Sequence, residues 1–172
     1  VFLSTTAFAH SKHEDEHQIQ EITVKTIKIT DGVYMLQGRG GNIGVSVGPN
    51  GLLIIDDDYA QVSPKLVEAL KALGSDKPKF IFNTHWHSDH TEGNKTIGKD
   101  SIIISHVNVR NRLAVDTMIF GNKSLAYPDF ALPMLTYEQS MSVHFNGDEV
   151  KATHYPNGHT DGDSIIFFTK AN

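Results

Sequence analysis

The chain has 172 residues, a formal net charge of −5 at pH 7 and no cysteine. The length suggests a single domain, and an apolar fraction of 39% is sufficient for a packed core. The net negative charge, without a long basic run, argues against nucleic acid as a partner. No apolar run of about 20 residues occurs, so the sequence predicts no membrane-spanning helix. The absence of cysteine excludes disulfides and thiolate ligands within this chain.

The first 20 residues are predicted to lie outside the folded domain. The stretch "VFLSTTAFAH" is mostly apolar and contains Ala7-Phe8-Ala9, which matches the A-x-A pattern of a signal-peptide cleavage site. We interpret it as the tail of a truncated signal peptide, with an ordinary apolar tail as the alternative. Residues 10–20 are polar and without period, which is typical of a disordered leader. This interpretation implies export, to the periplasm or beyond the cell.

The next part of the chain, from residue 21, alternates between strand and turn signals. A helix is expected after the strands, with Ser63 as its N-cap, Pro64 at its first position and Gly74 at its end. The strands themselves are predicted at residues 22–29, 32–38, 42–47 and 52–56, the last two forming a hairpin.

The second half of the chain continues this alternation. Residues 106–118 are predicted as a helix and residues 118–135 as a loop. Asn146-Gly147 is typical of a hairpin turn between strands within residues 137–155. Further strands are predicted at residues 79–84, 101–105 and 164–169. The order indicates a mixed α/β protein with helices packed on sheets, in one domain spanning residues 21–172.

The most informative stretch is "NTHWHSDHTEGN" at residues 83–94, where His85, His87, Asp89 and His90 fall within six positions. Side chains two apart in an extended chain point the same way, so His85 and His87 can bind one metal ion from the end of a strand. Asp89 and His90 follow where the chain must turn, and they can face a second ion. The alternative is a group of surface polar residues at a strand end, but such a cluster of potential ligands favours metal binding.

A catalytic zinc ion takes three protein ligands and a water, so a third histidine must come from elsewhere. The best donor is His159 in "PNGHTDGDS", a tight loop between two predicted strands. From spacing alone, an ordinary loop histidine is an equal alternative.

These motifs resemble those of the metallo-β-lactamase superfamily. "THWHSDH" matches its H-x-H-x-D-H signature, and "GHTDGD" is similar to its later G-H-T motif. The similarity extends from about Gly32 to the end, and "GLLIID", "HVNVRNRL" and "FNGDE" occur in the order of the family. The resemblance implies a four-layer αββα sandwich with two zinc ions at one edge, between the sheets. It assigns the first ion to His85, His87 and His159, and the second to Asp89 and His90.

The resemblance also concerns residues beyond these five. Asp56, at the end of "LLIID", matches an acidic position that supports the metal ligands from behind, although Asp56 could simply be a turn residue. Family members carry a further Asp or Cys after the next strand and a final His near the C-terminus. Neither is present here, so we interpret the domain as C-terminally incomplete. Little turnover and weak binding of a second ion are expected from the isolated chain.

The function implied is zinc-dependent hydrolysis of a small-molecule substrate, in which a metal-bound hydroxide attacks a carbonyl. Asp89 would orient the hydroxide and transfer its proton. The exported leader favours a β-lactamase-like enzyme. A thioester hydrolase of the hydroxyacylglutathione type, an iron-dependent oxidoreductase of the same fold and a metal-binding protein without catalysis are the alternatives.

Several further residues are predicted to have supporting roles. Trp86 is expected to pack beside the site, and His106 to cap the helix that follows it. His154 is interpreted as a structural histidine. Asp161 and Asp163 either shape the loop that holds His159 or bind a ligand imidazole, and the sequence leaves both open.

Overall fold

The computed structural model describes residues 21–119 and 121–171. The predicted signal-peptide remnant and leader, residues 1–20, lie outside the described residues. Within those two ranges, no helix is long and apolar enough to cross a membrane.

The described chain folds into short strands and helices, numbered here in chain order. The strands are β1 (Lys25–Thr30), β2 (Val33–Gln37), β3 (Asn42–Gly48), β4 (Gly51–Ile55), β5 (Phe80–Asn83), β6 (Ile102–His106), β7 (Thr117–Ile119), β8 (Asn122–Ser124), β9 (Leu135–Tyr137), β10 (Ser140–Phe145), β11 (Asp148–His154) and β12 (Ser164–Phe168). The helices are α1 (Ser63–Ala72), α2 (Ser88–Thr91), α3 (Asn94–Ile97) and α4 (Val107–Leu113), with 3₁₀ turns at Ala60–Val62, Gly98–Asp100 and Asp129–Ala131.

Two sheets dominate the fold. The larger has the strand order β1-β2-β3-β4-β5-β6-β9, and the smaller has the order β10-β11-β12. Strands β1 to β4 pair antiparallel, whereas β4, β5, β6 and β9 pair parallel. Strands β7 and β8 form a separate two-stranded hairpin. The parallel strands end at the same edge of the large sheet, which gathers the loops that follow them.

The core lies on both faces of the large sheet because side chains alternate along each strand. Ile81 of β5 packs in a cluster with Leu66 and Leu70 of α1, on the helical face. Its neighbour Phe82 points the other way and packs with Phe145 of the small sheet. Helix, large sheet and small sheet therefore form successive layers, and the predicted metallo-β-lactamase-like α/β architecture is confirmed.

A pair of asparagines fastens the two sheets together at the hairpin turns. The Asn146 backbone N–H donates to the Asn50 side chain at 2.9 Å, and the Asn50 backbone N–H donates to the Asn146 side chain at 2.9 Å. The Asn146 amide also donates to Ser46 Oγ at 3.1 Å and to the Gly51 carbonyl at 3.0 Å. Asn146 has a φ of 52°, and the predicted Asn-Gly turn is present between β10 and β11. This contact joins positions 96 residues apart.

Three local predictions were wrong. Ser63 is not the N-cap of α1, because a 3₁₀ turn precedes the helix and Val62 occupies the cap position. Ser63 instead lies inside the helix, with its hydroxyl buried and without a hydrogen-bond partner. The helix predicted over residues 106–118 ends at Leu113. The predicted loop at 118–135 contains β8 and the start of β9, both too short to show a period-2 pattern.

Candidate metal centre

The histidine motif lies at the edge where the parallel strands end. β5 finishes at Asn83, and residues 84–87 form a bend that leads to His87, the N-cap of α2 (φ −66°, ψ 151°). The single turn of α2 then carries Asp89 and His90. The Thr91 hydroxyl closes this turn by donating to the His87 carbonyl at 3.0 Å. The bend therefore carries His85 and His87, and the helical turn that follows carries Asp89 and His90.

Three of the predicted ligands come together. One ring nitrogen from each of His85, His87 and His159 forms a group in which all atoms lie within 4.8 Å of one another. His159 Nε2 lies 3.0 Å from His87 Nδ1, across 72 positions of sequence. The ring centroids are 4.9 Å apart for His85 and His87, 4.7 Å for His87 and His159, and 5.4 Å for His85 and His159.

Asp89 and His90 border the same cluster. The rings of His85 and His90 have centroids 4.1 Å apart, and His90 Nε2 lies 3.3 Å from Asp89 Oδ2. All five predicted site residues thus lie in one region of the described chain. The three histidines form the compact group, whereas Asp89 and His90 lie to one side of it.

Asp56 holds this arrangement from behind. Its carboxylate accepts hydrogen bonds from the Thr84 backbone N–H at 2.7 Å and the Thr84 hydroxyl at 2.8 Å. His90 Nδ1 lies 2.7 Å from Asp56 Oδ2, so Nδ1 donates to the carboxylate, and in the neutral ring Nε2 then carries the lone pair. Asp56 has a φ of 62°, a left-handed conformation that is uncommon for a residue with a side chain. The three hydrogen bonds, rather than this conformation, support a role of Asp56 behind the ligands.

The electrostatics keep the paired histidines neutral. Burial, together with the nearby His90, lowers the pKa of His85 to about 4. Burial and the proximity of His159 lower the pKa of His87. At His90 burial acts in the same direction, but the hydrogen bond and charge of Asp56 outweigh it and raise the pKa. His85 and His87 are therefore in the unprotonated form that binds metal ions at neutral pH.

A glycine-rich loop closes the other side of the site, which the sequence reasoning missed. Asp58 accepts hydrogen bonds from the backbone N–H groups of Arg39 at 2.9 Å and Gly40 at 3.0 Å. A Cβ at Gly40 would lie 2.6 Å from Cβ of Asp89 and 2.7 Å from the Tyr59 ring. Only glycine therefore fits where this loop approaches Asp89. The run "GRGG" at residues 38–41 was the available signal.

The structure distinguishes the roles of the two loop aspartates. Asp163 accepts hydrogen bonds from the backbone of His159 and from Thr160, and so shapes the loop that carries His159. Asp161 instead accepts from Trp86 Nε1 at 3.1 Å and from the Arg112 guanidinium at 2.8 Å.

The neighbouring aromatic residues are packed as predicted. The Trp86 ring meets the His87 ring at a centroid distance of 4.4 Å. His106 caps α4 by accepting from the Asn108 N–H at 3.2 Å, which confirms that prediction. His154 stacks on His106, with centroids 3.7 Å apart, and its Nδ1 lies 2.8 Å from the Asp163 carbonyl.

The residues present fit a zinc ion. Zinc–nitrogen bonds of about 2.0–2.1 Å in a tetrahedral site separate ligand nitrogens by about 3.3 Å. The histidine nitrogens, all within 4.8 Å of one another, can reach that spacing by small side-chain rotations. Imidazole and carboxylate donors together suit zinc and related divalent ions.

Comparisons with known proteins bear on the fold. No protein-family model and no curated protein matches this chain. Solved structures do match. A class B3 di-zinc metallo-β-lactamase from an Alaskan soil metagenome superimposes with a TM-score of 0.73 at 19% identity, over 85% of this chain and 57% of that one. A subclass B3 metallo-β-lactamase of Bradyrhizobium japonicum gives 0.71 at 23% identity, over 85% and 57%.

A third structure, a metallo-β-lactamase of Cronobacter sakazakii with a HARLDQ motif, gives a TM-score of 0.69 at 20% identity, over 83% of this chain and 56% of that one. The chain therefore spans less than two thirds of the length of these structures. At such identities the likeness concerns the fold. By that likeness and by its own layer order, the chain has the metallo-β-lactamase fold.

Proposed function

We propose that this chain forms the metal-binding part of a metal-dependent hydrolase. The observation that supports this most strongly is the convergence of three histidine nitrogens within 4.8 Å of one another, from two loops 72 positions apart. One contact of the group, His159 Nε2 to His87 Nδ1 at 3.0 Å, is also compatible with a hydrogen bond, but the addition of His85 makes a three-nitrogen set. Divalent cations are the ligands that such a set of donors binds best.

In this proposal His85, His87 and His159 hold the first ion, and Asp89 and His90 provide ligands for a second. Zinc is the expected metal, because imidazole donors dominate the ligand set. When bound, such an ion lowers the pKa of a coordinated water and polarises a substrate carbonyl.

The residues of the chain have separate tasks in the reaction. Asp89 is partly exposed beside the three histidines, so its carboxylate can accept a hydrogen bond from the attacking water and take up its proton. Asp56 keeps the His90 proton on Nδ1, which leaves Nε2 directed towards Asp89. The close approach of Gly40 to Asp89 limits the directions in which the carboxylate can turn.

For the substrate, we propose a small molecule with a hydrolysable carbonyl, most simply a β-lactam acted on outside the cytoplasm. Two observations favour this choice. The superimposed structures are described as metallo-β-lactamases. The N-terminal A-x-A pattern is typical of exported proteins. A thioester is the second candidate, because the same donor set also serves thioester hydrolysis in the superfamily that the motifs resemble.

The test is to purify the protein with zinc, measure bound metal per chain, and assay a chromogenic β-lactam and a thioester. Because little turnover is expected from this chain alone, turnover is assayed in a longer form that also supplies the further ligands of the family pattern. The variant His87→Ala should lose both metal and turnover. His144→Ala is the matched control, because His144 is exposed on β10 and belongs to no ligand group within the described residues. Metal binding without turnover of either substrate would favour a non-catalytic metal protein. Iron with oxygen consumption would favour an oxidoreductase.

A further inference from the structure

His159 is positioned differently from the other two histidines of the cluster. His85 and His87 directly follow the buried strand β5 and are themselves partly buried. His159 is exposed, in the loop between β11 and β12, where the described chain has only turns and bends. Its ring contacts His85 and His87 but is not enclosed by the core, so the position of the ring depends largely on the backbone of the loop.

That backbone is organised around one carboxylate, that of Asp163. Asp163 Oδ2 accepts from the backbone N–H of His159 in a short hydrogen bond, and from the N–H of Thr160 at 2.9 Å. Oδ1 accepts from the Thr160 hydroxyl at 2.6 Å. The Thr160 hydroxyl oxygen in turn accepts from the Gly162 N–H at 3.2 Å. The successive backbone N–H groups of His159 and Thr160 thus both donate to the Asp163 carboxylate, and this geometry restricts several backbone dihedral angles of the loop.

The base of the loop is closed through the same residue. The Asp163 carbonyl accepts from the Tyr155 N–H at 2.9 Å, and the ring of His154 contacts the same oxygen at 2.8 Å. The backbone N–H of Ser164 donates to the Thr84 carbonyl at 2.9 Å, next to His85. This last bond ties the loop to the strand end that carries the other two histidines.

Gly158 shows how closely the loop surrounds the carboxylate. A Cβ on Gly158 would lie 2.4 Å from Asp163 Oδ2 and 3.1 Å from its Cβ, distances that a real side chain could not occupy. Any side chain at position 158 would displace the carboxylate from the N–H of His159. Position 158, the first residue of the "GHT" motif, therefore requires glycine, because the backbone there lies close to the Asp163 side chain.

From these contacts we infer that Asp163 is a positioning residue for His159: it fixes the loop backbone so that the imidazole reaches the metal position shared with His85 and His87. The inference rests on the proposed function, since it concerns the same site. Asp163 itself touches neither substrate nor metal in this assignment. It acts through the His159 backbone, whereas Asp161 only tethers the loop to Arg112 and Trp86.

The test compares zinc affinity, measured by chelator competition, with the thermal stability of the metal-free protein. Asp163→Ala should weaken zinc binding by about 10- to 100-fold, the range found when partners behind a metal ligand are removed. Asp163→Asn should restore affinity to within about threefold of the wild type, because its amide oxygen can still accept both backbone N–H groups. Asp161→Asn is the matched control, with an expected change below about threefold, because Asp161 does not contact His159.

A second readout separates positioning from general destabilisation. With Co²⁺ in place of zinc, the visible absorption bands report the ligand set, so Asp163→Ala should resemble His159→Ala while Asp161→Asn resembles the wild type. A merely structural role would lower the unfolding temperature of Asp163→Ala and leave the Co²⁺ spectrum of the folded protein unchanged. If Asp163→Ala does not fold, Gly158→Ala decides, since it displaces the same carboxylate and should also weaken zinc binding at least about tenfold.

The outcomes distinguish the two proposals. The positioning role would be overturned if folded Asp163→Ala had the zinc affinity and Co²⁺ spectrum of the wild type. The same result in Gly158→Ala would overturn it if Asp163→Ala does not fold. If His159→Ala also binds zinc as tightly as the wild type, the metal site of the proposed function is wrong as well. Weak binding in His159→Ala together with normal binding in Asp163→Ala would leave the site standing and refute the inference alone.

Discussion

The contact between Asp56 and His90 leads to a specific prediction for Asp56→Asn. In the native protein the carboxylate accepts from His90 Nδ1 and from both donors of Thr84, at 2.7 to 2.8 Å. Asparagine has the same shape but only one acceptor oxygen. If that oxygen keeps the Thr84 backbone N–H, the amide NH₂ group faces His90 Nδ1. His90 must then accept at Nδ1 and carry its proton on Nε2.

The size of the effect follows from the hydrogen bonds that change. Hydrogen bonds to a charged group contribute about 1.5–3 kcal/mol, against about 1 kcal/mol for neutral pairs. Converting the contacts of the nearly buried Asp56 into neutral ones should therefore cost about 2–4 kcal/mol of unfolding free energy. A proton on Nε2 also removes the lone pair facing Asp89, so affinity for a second ion should fall by about 10- to 100-fold.

The assay is nitrogen-15 NMR of the histidine rings in the metal-free protein. Asp56 raises the pKa of His90, so spectra should be recorded near pH 9, where the ring is neutral in both proteins. The wild type should show the proton of His90 on Nδ1, and Asp56→Asn should show it on Nε2. Asp58→Asn is a suitable control, because Asp58 binds the glycine-rich loop and not a histidine. A proton that stays on Nδ1 in Asp56→Asn would refute the reasoning.

Three further predictions follow from the same structure. In a longer form that supplies the remaining ligands of the family pattern, Asp89→Ala should abolish hydrolysis while leaving the first metal ion bound, and near-normal turnover with unchanged metal content would contradict the role of Asp89. Asn146→Ala should lower the unfolding free energy, measured by denaturant titration, by about 2–4 kcal/mol, because three side-chain hydrogen bonds between the sheets are lost. Asn146→Gly should lose about 1 kcal/mol less, since glycine accepts the φ of 52°. Equal losses in the two variants would show that backbone strain at this position is irrelevant. The pKa of His85 is about 4 in the folded state and 6.5 in a free histidine, so between these values the unfolded chain binds a proton that the folded chain does not. The unfolding free energy of the metal-free protein should therefore fall as pH decreases from about 6.5 to 4. His85→Asn should reduce this dependence of the unfolding free energy on pH.

The features predicted correctly from the sequence are those whose signal is local. The proximity of His85 and His87 follows from their spacing of two residues, although the chain bends at residues 84–87 where an extended backbone was predicted. The Asn146-Gly147 turn is encoded by residues that tolerate positive φ. His106 as a helix cap likewise depends only on its immediate neighbours.

The features that were missed depend on structure that the local residue pattern does not signal. Ser63 has the local signature of an N-cap, but a 3₁₀ turn precedes the helix and Val62 takes that position. Strand β9 is three residues long and is defined by pairing with β6, which no periodicity could show. The roles of Asp161 and Asp163 are indistinguishable in sequence, because the choice depends on which one faces Arg112.

The central claim is that His85, His87 and His159 share one metal ion. Crystals of the zinc-loaded protein, measured with anomalous scattering at the zinc absorption edge, test it most directly. The account predicts a single strong peak about 2.0–2.1 Å from one ring nitrogen of each of the three histidines. A fully loaded protein with its peak elsewhere, or with His159 turned away from the metal, would contradict it.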